Sequence, residues 1–416
     1  MLRPYRHAIA WTTLIVVLPV AAQRPVPLRA LTAAVGTDSA LLRSVTSINP
    51  LSDGRVLVND MVSRRVLLFD STLAHYLVVL DTAQSAKEKY APSPMTLTRY
   101  LGDSTLLLDA NARAFTVISP AVTVARVMAF PIMGQSITTL LGFVGDTPRG
   151  FDPAGRLIYY TMRTAPRAPP PLVPKDSGAT EVTFKHDSLI VLRLNIDTKA
   201  IDTMALVASA SSKSVTVALG RGGYAGGGAV NPFPAPDEWA LLPDGTVAVV
   251  RSHDYHIDWV SPDLKRTSTP KMPFDWKPIP DEEKQRLSDS LRKAAEDRSA
   301  NATTTRTSAV AGRPVPSVRT PPVWYEPKEM EQFYPPIRRN TVRSDPEGNV
   351  WVLPTTSMLA GQGLVYDVVN RNGEIIERVR LSEGRNLVAV GAGGVVYMSY
   401  TPKGGLIRLE RARIIR

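Results

Sequence analysis

The sequence predicts an all-β fold, a six-bladed β-propeller. Three observations support this fold class: one short pattern occurs six times, further strand-like runs follow each copy, and the copies are spaced at about one blade or more. Each copy has a tight polar turn, usually with glycine, followed by a run of Val, Leu, Ile and Tyr that suits a pleated strand. The copies begin at residues 52, 102, 153, 243, 346 and 391.

Second and often third strand-like runs follow each copy, so one repeat is three or four antiparallel strands. The turn positions 54, 103, 155, 245, 348 and 394 differ by 49, 52, 90, 103 and 46 residues. Three intervals fit one blade of about 45 residues, and the two long ones fit a blade with an insertion. A pair of β-sandwiches is the alternative fold, but it would not explain six matched turns.

Ring closure needs an outer strand that the last repeat lacks, because the chain runs out after its third strand. The segment "PVPLRALTAAV", which begins at residue 25, could supply that strand and leave no open edge.

Two repeats resemble the NHL repeat, in which a hydrophobic strand is followed by Asp, a short turn, Arg and a second strand. Residues 54–70 match this pattern with Asp60 and Arg65, and residues 106–119 match it with Asp109, Asn111 and Arg113. The other repeats keep the strands and lose the Asp and Arg. Residues 334–353 are also similar to the start of a blade in secreted bacterial six-bladed propellers. NHL-like propellers include binding modules and some enzymes, so the resemblance implies a fold and leaves the function open.

The first 22 residues are typical of a secretory signal peptide. Arg3 and Arg6 precede the apolar run 8–20, and small residues precede Gln23, the expected first residue of the mature chain. An uncleaved membrane anchor is the alternative. We therefore expect an exported protein, periplasmic or extracellular, with residues 23–416 forming a monomeric propeller.

The amino-acid composition limits the classes of partner that the protein is expected to bind. The chain has 49 Lys and Arg against 38 Asp and Glu, a formal charge of +11. A basic balance suits nucleic acid, anionic surfaces or acidic ligands, and export argues against nucleic acid. The absence of cysteine excludes disulfides and a cysteine nucleophile.

The insertions are expected on one face. With the strands of a blade named A to D from the channel outward, the matched turn joins A to B. The B–C and D–A connections emerge on the opposite face, which we call the loop-rich face. The irregular segments 131–148, 163–187, 208–235 and 273–335 all fall there. Loops on a rigid scaffold often carry function.

The longest insertion has internal structure. Residues 280–298 predict a helix that starts with Pro280 and acidic residues. A low-complexity stretch follows it, and we expect this stretch to be flexible. The aromatic residues Trp324, Tyr325, Phe333 and Tyr334 could cover the channel as a lid or cover the side of a blade.

The glycine-rich stretch 220–228 lacks the Lys-Ser/Thr ending and the strand-to-helix context of a phosphate-binding loop. We expect a flexible loop there that presents Arg221 and Tyr224.

Alignment of the repeats places one residue of each blade at the end of strand B, on the loop-rich face. Asp60 and Asp109 are expected to bind neighbouring backbone or arginine groups within their own blades. The six equivalent residues are Asp60, Asp109, Thr161, Arg251, Pro354 and Tyr400.

The innermost strands offer polar residues to the channel. Arginines among them favour an anionic ligand. Asp237 and Glu238 are candidates for a lactonase-type site, or they cap the start of a strand. The set is Asn49, Arg99, Arg149, Asp237, Glu238, Arg343, Arg385 and Asn386.

The stretch "RSHDYHIDWV" (251–260) holds His253 and His256 beside Tyr255, whereas His75 and His186 lie elsewhere. Zinc needs three or four converging ligands, so we expect a turn that contacts a ligand and no metal site.

We predict an exported propeller that binds a ligand on its loop-rich face without catalysis, without metal and without cofactor. The partner is an unknown protein, peptide or anionic small molecule. The alternatives are a lactonase-like hydrolase or lyase acting in the channel, and a scaffold that recognises anionic envelope polymers. The candidate ligand-binding residues are Arg99, Arg149, Arg251, His253, Tyr255, His256, Asp237, Glu238, Arg343 and Tyr400.

Overall fold

The structure is a computed structural model, and it describes most of the chain between residues 25 and 416. The described residues are 25–37, 41–83, 88–90, 94–109, 112, 114–129, 149–162, 180–184, 188–219, 223–301, 322–359, 361, 363–403 and 405–416. The expected signal peptide, the insertion 131–148 and the low-complexity stretch 302–321 lie outside them. Within these ranges no helix combines the length and the apolar character needed to cross a membrane.

Six antiparallel sheets confirm the six-bladed propeller. Blade 1 contains β3 (Ser47–Pro50), β4 (Val56–Asp60), β5 (Arg65–Phe69) and β6 (Tyr76–Leu80). Blade 2 contains β7 (Pro94–Arg99), β8 (Thr105–Asp109), β9 (Ala114–Ile118) and β10 (Val124–Ala129). Blade 3 contains β11 (Gly150–Phe151), β12 (Leu157–Met162), β14 (Ser188–Leu194) and β15 (Ile201–Ala208).

The second half of the ring repeats this order of strands. Blade 4 contains β18 (Glu238–Leu241), β19 (Val247–Arg251), β20 (His256–Val260) and β21 (Arg266–Ser268). Blade 5 contains β22 (Arg343–Ser344), β23 (Val350–Val352), β24 (Val365–Val369) and β25 (Ile375–Arg380), with helix α2 (Thr355–Leu359) between β23 and β24. Blade 6 contains β26 (Arg385–Gly391), β27 (Val395–Tyr400) and β28 (Arg408–Arg413).

The N-terminal segment closes the ring, as the sequence predicts. Strand β2 (Val35–Gly36) pairs with β28 and supplies the outer strand of blade 6. The preceding strand β1 (Leu28–Arg29) pairs in parallel with β25 and adds a fifth strand to blade 5. One segment thus fastens two blades instead of one.

The core lies between the blades. In the described part of the chain, six apolar clusters each join two neighbouring blades, including blade 6 with blade 1. Successive residues of an inner strand serve different neighbours: Val56 and Val58 pack toward blade 6, whereas Leu57 packs toward blade 2. Strand B is therefore apolar on both faces, and this burial explains the unbroken Val and Leu runs of the repeat.

The matched turns need residues that accept a positive φ. Gly245 has a φ of +85°, and an added Cβ there would lie 2.9 Å from Cβ of Asp152. Blade 2 has Asp103 at the equivalent turn, with a φ of +60°. The turn glycine is thus a conformational requirement in blade 4 that also permits close approach to blade 3.

Three insertions meet in a structure outside the ring, which we call the satellite module. It consists of β13 (Thr180–Phe184), β16 (Ser212–Leu219), β17 (Gly223–Val230), helix α1 (Asp281–Asn301) and residues 323–334. Strand β16 pairs with both β13 and β17. The helix is confirmed and extends three residues beyond the predicted end.

One expectation about these insertions needs correction. Tyr224 lies in β17, so the residues around it form a hairpin and not a flexible loop, and Arg221 lies outside the described residues. Tyr325 and Tyr334 pack with Phe233, Ile279 and Met330 in a core of the module's own. Leu287 of α1 and Ala229 of β17 pack against this core, so the two aromatics join the three insertions to one another.

Candidate functional site at the channel mouth

The innermost strands begin at the loop-rich face, and their first residues surround the channel mouth there. Glu238 begins β18, Arg343 begins β22, and Arg149 directly precedes β11. The Glu238 side chain is buried, with 6% of the residue exposed, and its Oε1 accepts a 2.9 Å hydrogen bond from the backbone N–H of Asn340. Glu238 follows the insertion 208–235, and Asn340 follows the insertion 273–335. Their hydrogen bond therefore joins the two points at which the chain returns to the ring.

Burial and the surrounding charges shift the pKa of the Glu238 carboxyl in opposite directions. Burial raises the pKa of Glu238, although the Asn340 N–H and the charges of Arg149, Arg343 and Arg339 oppose the shift. Burial also lowers the pKa of Arg343, and the nearby charge of Arg149 lowers it further. The positive charges of three guanidinium groups thus favour the ionised form of the Glu238 carboxyl, whereas burial disfavours it.

Two of these arginines are held in place. The guanidinium of Arg149 lies over the ring of Trp239 with its carbon 5.4 Å from the ring centroid. Nη1 of Arg343 donates to the carbonyl oxygens of Asn340 (3.0 Å) and Val342 (2.8 Å). These contacts restrict the side chains and leave further N–H groups of both to donate to a ligand.

Asp237 and Arg251 form a structural node instead of joining the mouth. Oδ1 of Asp237 accepts the N–H of Ser252 (3.0 Å), and Oδ2 accepts the N–H of Ala208 (3.0 Å) and Nη1 of Arg251 (2.7 Å). Arg251 also donates from Nε to Asp258 at 2.7 Å and from Nη1 to the carbonyl of Leu206. The node ties the end of strand B in blade 4 to the last strand of blade 3.

The stretch 251–260 is the end of β19, a turn and β20, in agreement with the alignment of the repeats. Tyr255 is fully buried at a φ of +50° and packs between blades 4 and 5, so it has no surface to offer a ligand. Its apolar ring fills the core space that the turn would otherwise leave. His253 is exposed on the same turn.

His256 lies between two carboxylates. Its Nδ1 is 2.6 Å from Oδ1 of Asp254, and its Nε2 is 3.2 Å from Oδ1 of Asp258. Although partial burial opposes the shift, the hydrogen bond and charge of His256 help to lower the pKa of Asp254. These contacts occupy both ring nitrogens. Across the described ranges, no cluster of three or more His, Asp or Glu side chains is arranged to hold a metal ion.

The remaining candidates are spread around the ring. Arg99 is exposed at the end of β7, and Tyr400 is stacked under Arg385, whose guanidinium carbon is 4.0 Å from the ring centroid. Arg385 also pairs with Glu410. Asn49 is buried and donates to Thr105 Oγ1 at 2.6 Å. These side chains have structural partners or lie apart from the mouth arginines.

The predicted structural role of Asp60, to bind neighbouring backbone and arginine groups, is confirmed. It is fully buried, accepts the N–H groups of Arg43, Ser44 and Ser63, and lies 3.5 Å from Nε of Arg65. Asp109 accepts the N–H of Ala112 in the equivalent turn of blade 2. The other aligned positions lie at or near the end of strand B: Thr161 is the second-last residue of β12, Pro354 follows β23 by two residues, and Tyr400 is the last residue of β27.

Sequence reasoning missed Arg339, Asn340 and Trp239. The run "IRRNTVRSD" places two arginines and an asparagine directly before an innermost strand, and this was the signal that could have found Arg339 and Asn340. No pattern in the sequence shows that the Asn340 backbone reaches Glu238, because 102 positions separate the two residues.

Known proteins resemble the chain in overall architecture. A comparison with protein-family models finds no match, and neither does a comparison with curated proteins. A streptogramin B lyase structure is 9% identical with a TM-score of 0.41, and the match covers 92% of this chain and 98% of that one. A member of the DUF4221 family from Bacteroides vulgatus is 8% identical with a TM-score of 0.46, covering 93% and 97%.

A putative gluconolactonase is 10% identical with a TM-score of 0.36, covering 92% of this chain and 95% of that one. Similarity this low identifies neither an activity nor a family for the chain. The NHL resemblance therefore stays a prediction.

Proposed function

We propose that the protein is an exported propeller that binds an anionic ligand at the loop-rich mouth of its channel. The observation that carries the proposal is that the charges of Arg149, Arg339 and Arg343 all act on the buried carboxyl of Glu238, with Arg343 bonded to the Asn340 backbone that binds this carboxyl and Arg149 lying over Trp239 beside it. A cluster of like charges opposes folding, so a compensating anion would bind there favourably. Guanidinium groups match carboxylate, sulfate and phosphate oxygens in geometry as well as charge.

The site is also prepared for binding. Arg149 rests on Trp239, and Arg343 is fixed by two backbone carbonyls, so little side-chain freedom remains to be lost when a ligand arrives. Arg343 begins β22 and Arg149 directly precedes β11, so both are attached to strands of the ring. Preorganised arginines at the channel mouth favour the anionic group of a small molecule or of an extended peptide.

Citrate provides a direct test. Its affinity is measured by calorimetry at low ionic strength. The intrinsic fluorescence of the tryptophans, of which Trp239 lies under Arg149, serves as a second signal. Because a hydrogen bond to a charged group contributes about 1.5–3 kcal/mol, Arg149→Gln and Arg343→Gln should each weaken binding roughly tenfold or more. High salt should weaken wild-type binding as well.

Arg413→Gln is the matched control, since Arg413 is an exposed arginine near the A–B turn of blade 6 on the opposite face. It should leave citrate binding unchanged. Citrate affinity that is equal in wild type and in the Arg149→Gln, Arg343→Gln double variant would refute the proposal.

Export is part of the same proposal, and it rests on the basic and apolar pattern of residues 1–22. Expression of the full chain in a bacterial host should yield protein outside the cytoplasm whose N-terminal residue is Gln23. Retention of the full chain in the cytoplasm would contradict export and leave the ligand site untouched.

A second candidate function is hydrolysis or elimination in the channel, and Glu238 is the observation that favours it. A buried carboxyl with a raised pKa is suited to act as a general acid or base. Proton release from a panel of lactones, followed by pH-stat, tests this function. Turnover that Glu238→Gln abolishes would establish it, and turnover that persists in this variant would exclude Glu238 as the acid or base.

A further inference from the structure

The two oxygens of Glu238 have different surroundings. Oε1 accepts the N–H of Asn340, whereas Oε2 has no hydrogen-bond partner in the part of the chain that the structure describes. The turn that carries Asn340 is itself fixed, because Arg343 donates to the Asn340 carbonyl and Thr341 Oγ1 donates to the Arg338 carbonyl at 2.6 Å. The carboxyl group is thus held by one oxygen, and the other is available to a ligand.

A ligand anion at this mouth would meet a like charge. Arg343 donates to the carbonyl of Asn340, whose N–H binds Glu238, and Arg149 lies over the ring of Trp239, the residue after Glu238. An anion drawn to these arginines therefore comes close to the same carboxyl. Two anionic oxygen groups in contact do not both stay ionised, and a proton is shared between them. Burial of Glu238 already disfavours its ionised form and so selects it to hold that proton.

We propose that an oxyanion binds at the channel mouth together with one proton, which Glu238 takes up on Oε2 and then donates as a hydrogen bond to the bound oxyanion. This inference rests on the proposed anion-binding function and adds the chemical class of the ligand group, a carboxylate, sulfate or phosphate. The proton comes from solvent, and no covalent bond other than O–H forms. Glu238 acts as a specificity-determining residue, because the neutral acid supplies a donor that a carboxylate lacks.

The other groups that face Glu238 keep their charge state. Arg149 precedes β11, and Arg339 and Arg343 lie at the start of blade 5; all three stay cationic in proteins. Tyr366 on β24 interacts electrostatically with Arg343. Burial raises the pKa of Tyr366 to about 12, so this tyrosine stays neutral near pH 7. Among these groups, Glu238 is the one whose charge the proposed proton uptake changes.

Sulfate is the appropriate probe, because it remains a dianion over the pH range of the experiment. Its affinity is measured by calorimetry from about pH 5.5 to 8.5 at constant ionic strength, in buffers of different ionisation enthalpy. The wild type should take up close to one proton per sulfate at the upper end of the range. Its affinity there should fall up to tenfold for each rise of one pH unit.

Glu238→Gln is the matched variant. The glutamine Oε1 accepts the Asn340 N–H as before, and its Nε2–H replaces the donated proton, so the contact is preserved without titration. Every other titratable group stays in place, and the difference from wild type isolates Glu238. The variant should bind sulfate with an affinity close to the low-pH wild type and take up about one proton less.

The outcomes separate the two proposals. Equal proton uptake by wild type and Glu238→Gln overturns the proton linkage, and so does a wild-type affinity that does not vary with pH. If Arg343→Gln still weakens sulfate binding in those cases, the proposed function stands. Sulfate binding that Arg343→Gln leaves unchanged, or no sulfate binding at all, overturns both.

Discussion

The Asp237 node allows a stability prediction with a magnitude. Asp237→Ala removes the acceptor for the N–H groups of Ser252 and Ala208 and one of the two carboxylate partners of Arg251. Ser252 is 2% exposed, so water does not replace its lost bond. A buried donor left without a partner costs about 1–3 kcal/mol. Arg251 keeps Asp258 and is partly exposed, so its loss is smaller.

Together these losses should lower the free energy of unfolding by about 4 kcal/mol. An unfolding entropy of about 2.1 cal/mol/K per residue gives roughly 0.9 kcal/mol per degree for a chain of 416 residues. The Tm should therefore fall by about 5 °C in calorimetric or circular-dichroism melting. The small shift in Tm reflects the size of the chain and not a weak effect.

Asp263→Ala is the control, because Asp263 pairs with Lys265 in an exposed turn of the same blade and should change the Tm little. A Tm for Asp237→Ala within about 1 °C of the wild type would refute the structural role of the node, since even one unsatisfied buried N–H exceeds that shift. Citrate binding should survive at temperatures where the variant is folded. Its loss there would place Asp237 in the ligand site.

Three further stability predictions follow from buried groups and from the ring closure. Tyr255→Phe should raise the free energy of unfolding in urea by about 1 kcal/mol, because the buried hydroxyl has no hydrogen-bond partner among the described residues; a loss of stability would point to a buried water as its partner. Glu238→Gln should be more stable than the wild type at pH 7 and equal to it near pH 4. Its raised pKa makes ionisation costly in the folded state, and this cost grows as the pH rises above the unfolded value of about 4.3; a pH-independent difference would contradict this cause. A chain that starts at residue 37 lacks β1 and β2 and should melt lower and less cooperatively, and an unchanged melting curve would show that the ring does not depend on them.

Part of the candidate site could be predicted from sequence because strand order fixes position. Once the matched turns define strand A, the residues that begin this strand must lie around one mouth of the channel, and Arg149, Glu238 and Arg343 follow from that placement. The same logic placed Asp237 near the mouth, but it could not give the direction of its side chain. A shift of one residue reverses that direction in a strand.

The insertions were the hardest part to predict. The core of the satellite module brings Phe233 into contact with Tyr325 and Tyr334, which lie about one hundred positions later in the chain. An ion pair also joins Lys213 to Glu329. No local pattern encodes such contacts. The spacing of apolar residues predicts the helix, because these residues recur within one turn or two. It does not predict what the helix packs against.

The sequence by itself determined the number of blades, the turns that start them, the helix and the segment that closes the ring. Each of these depends on residues close together in the chain, namely a glycine turn, an alternation or a run of β-branched residues. Tertiary structure alone decided that Asp237 and Tyr255 serve the core and that Glu238 meets the backbone of Asn340 among three arginines. Burial and charge at one point depend on every segment that arrives there, and only the folded chain brings those segments together.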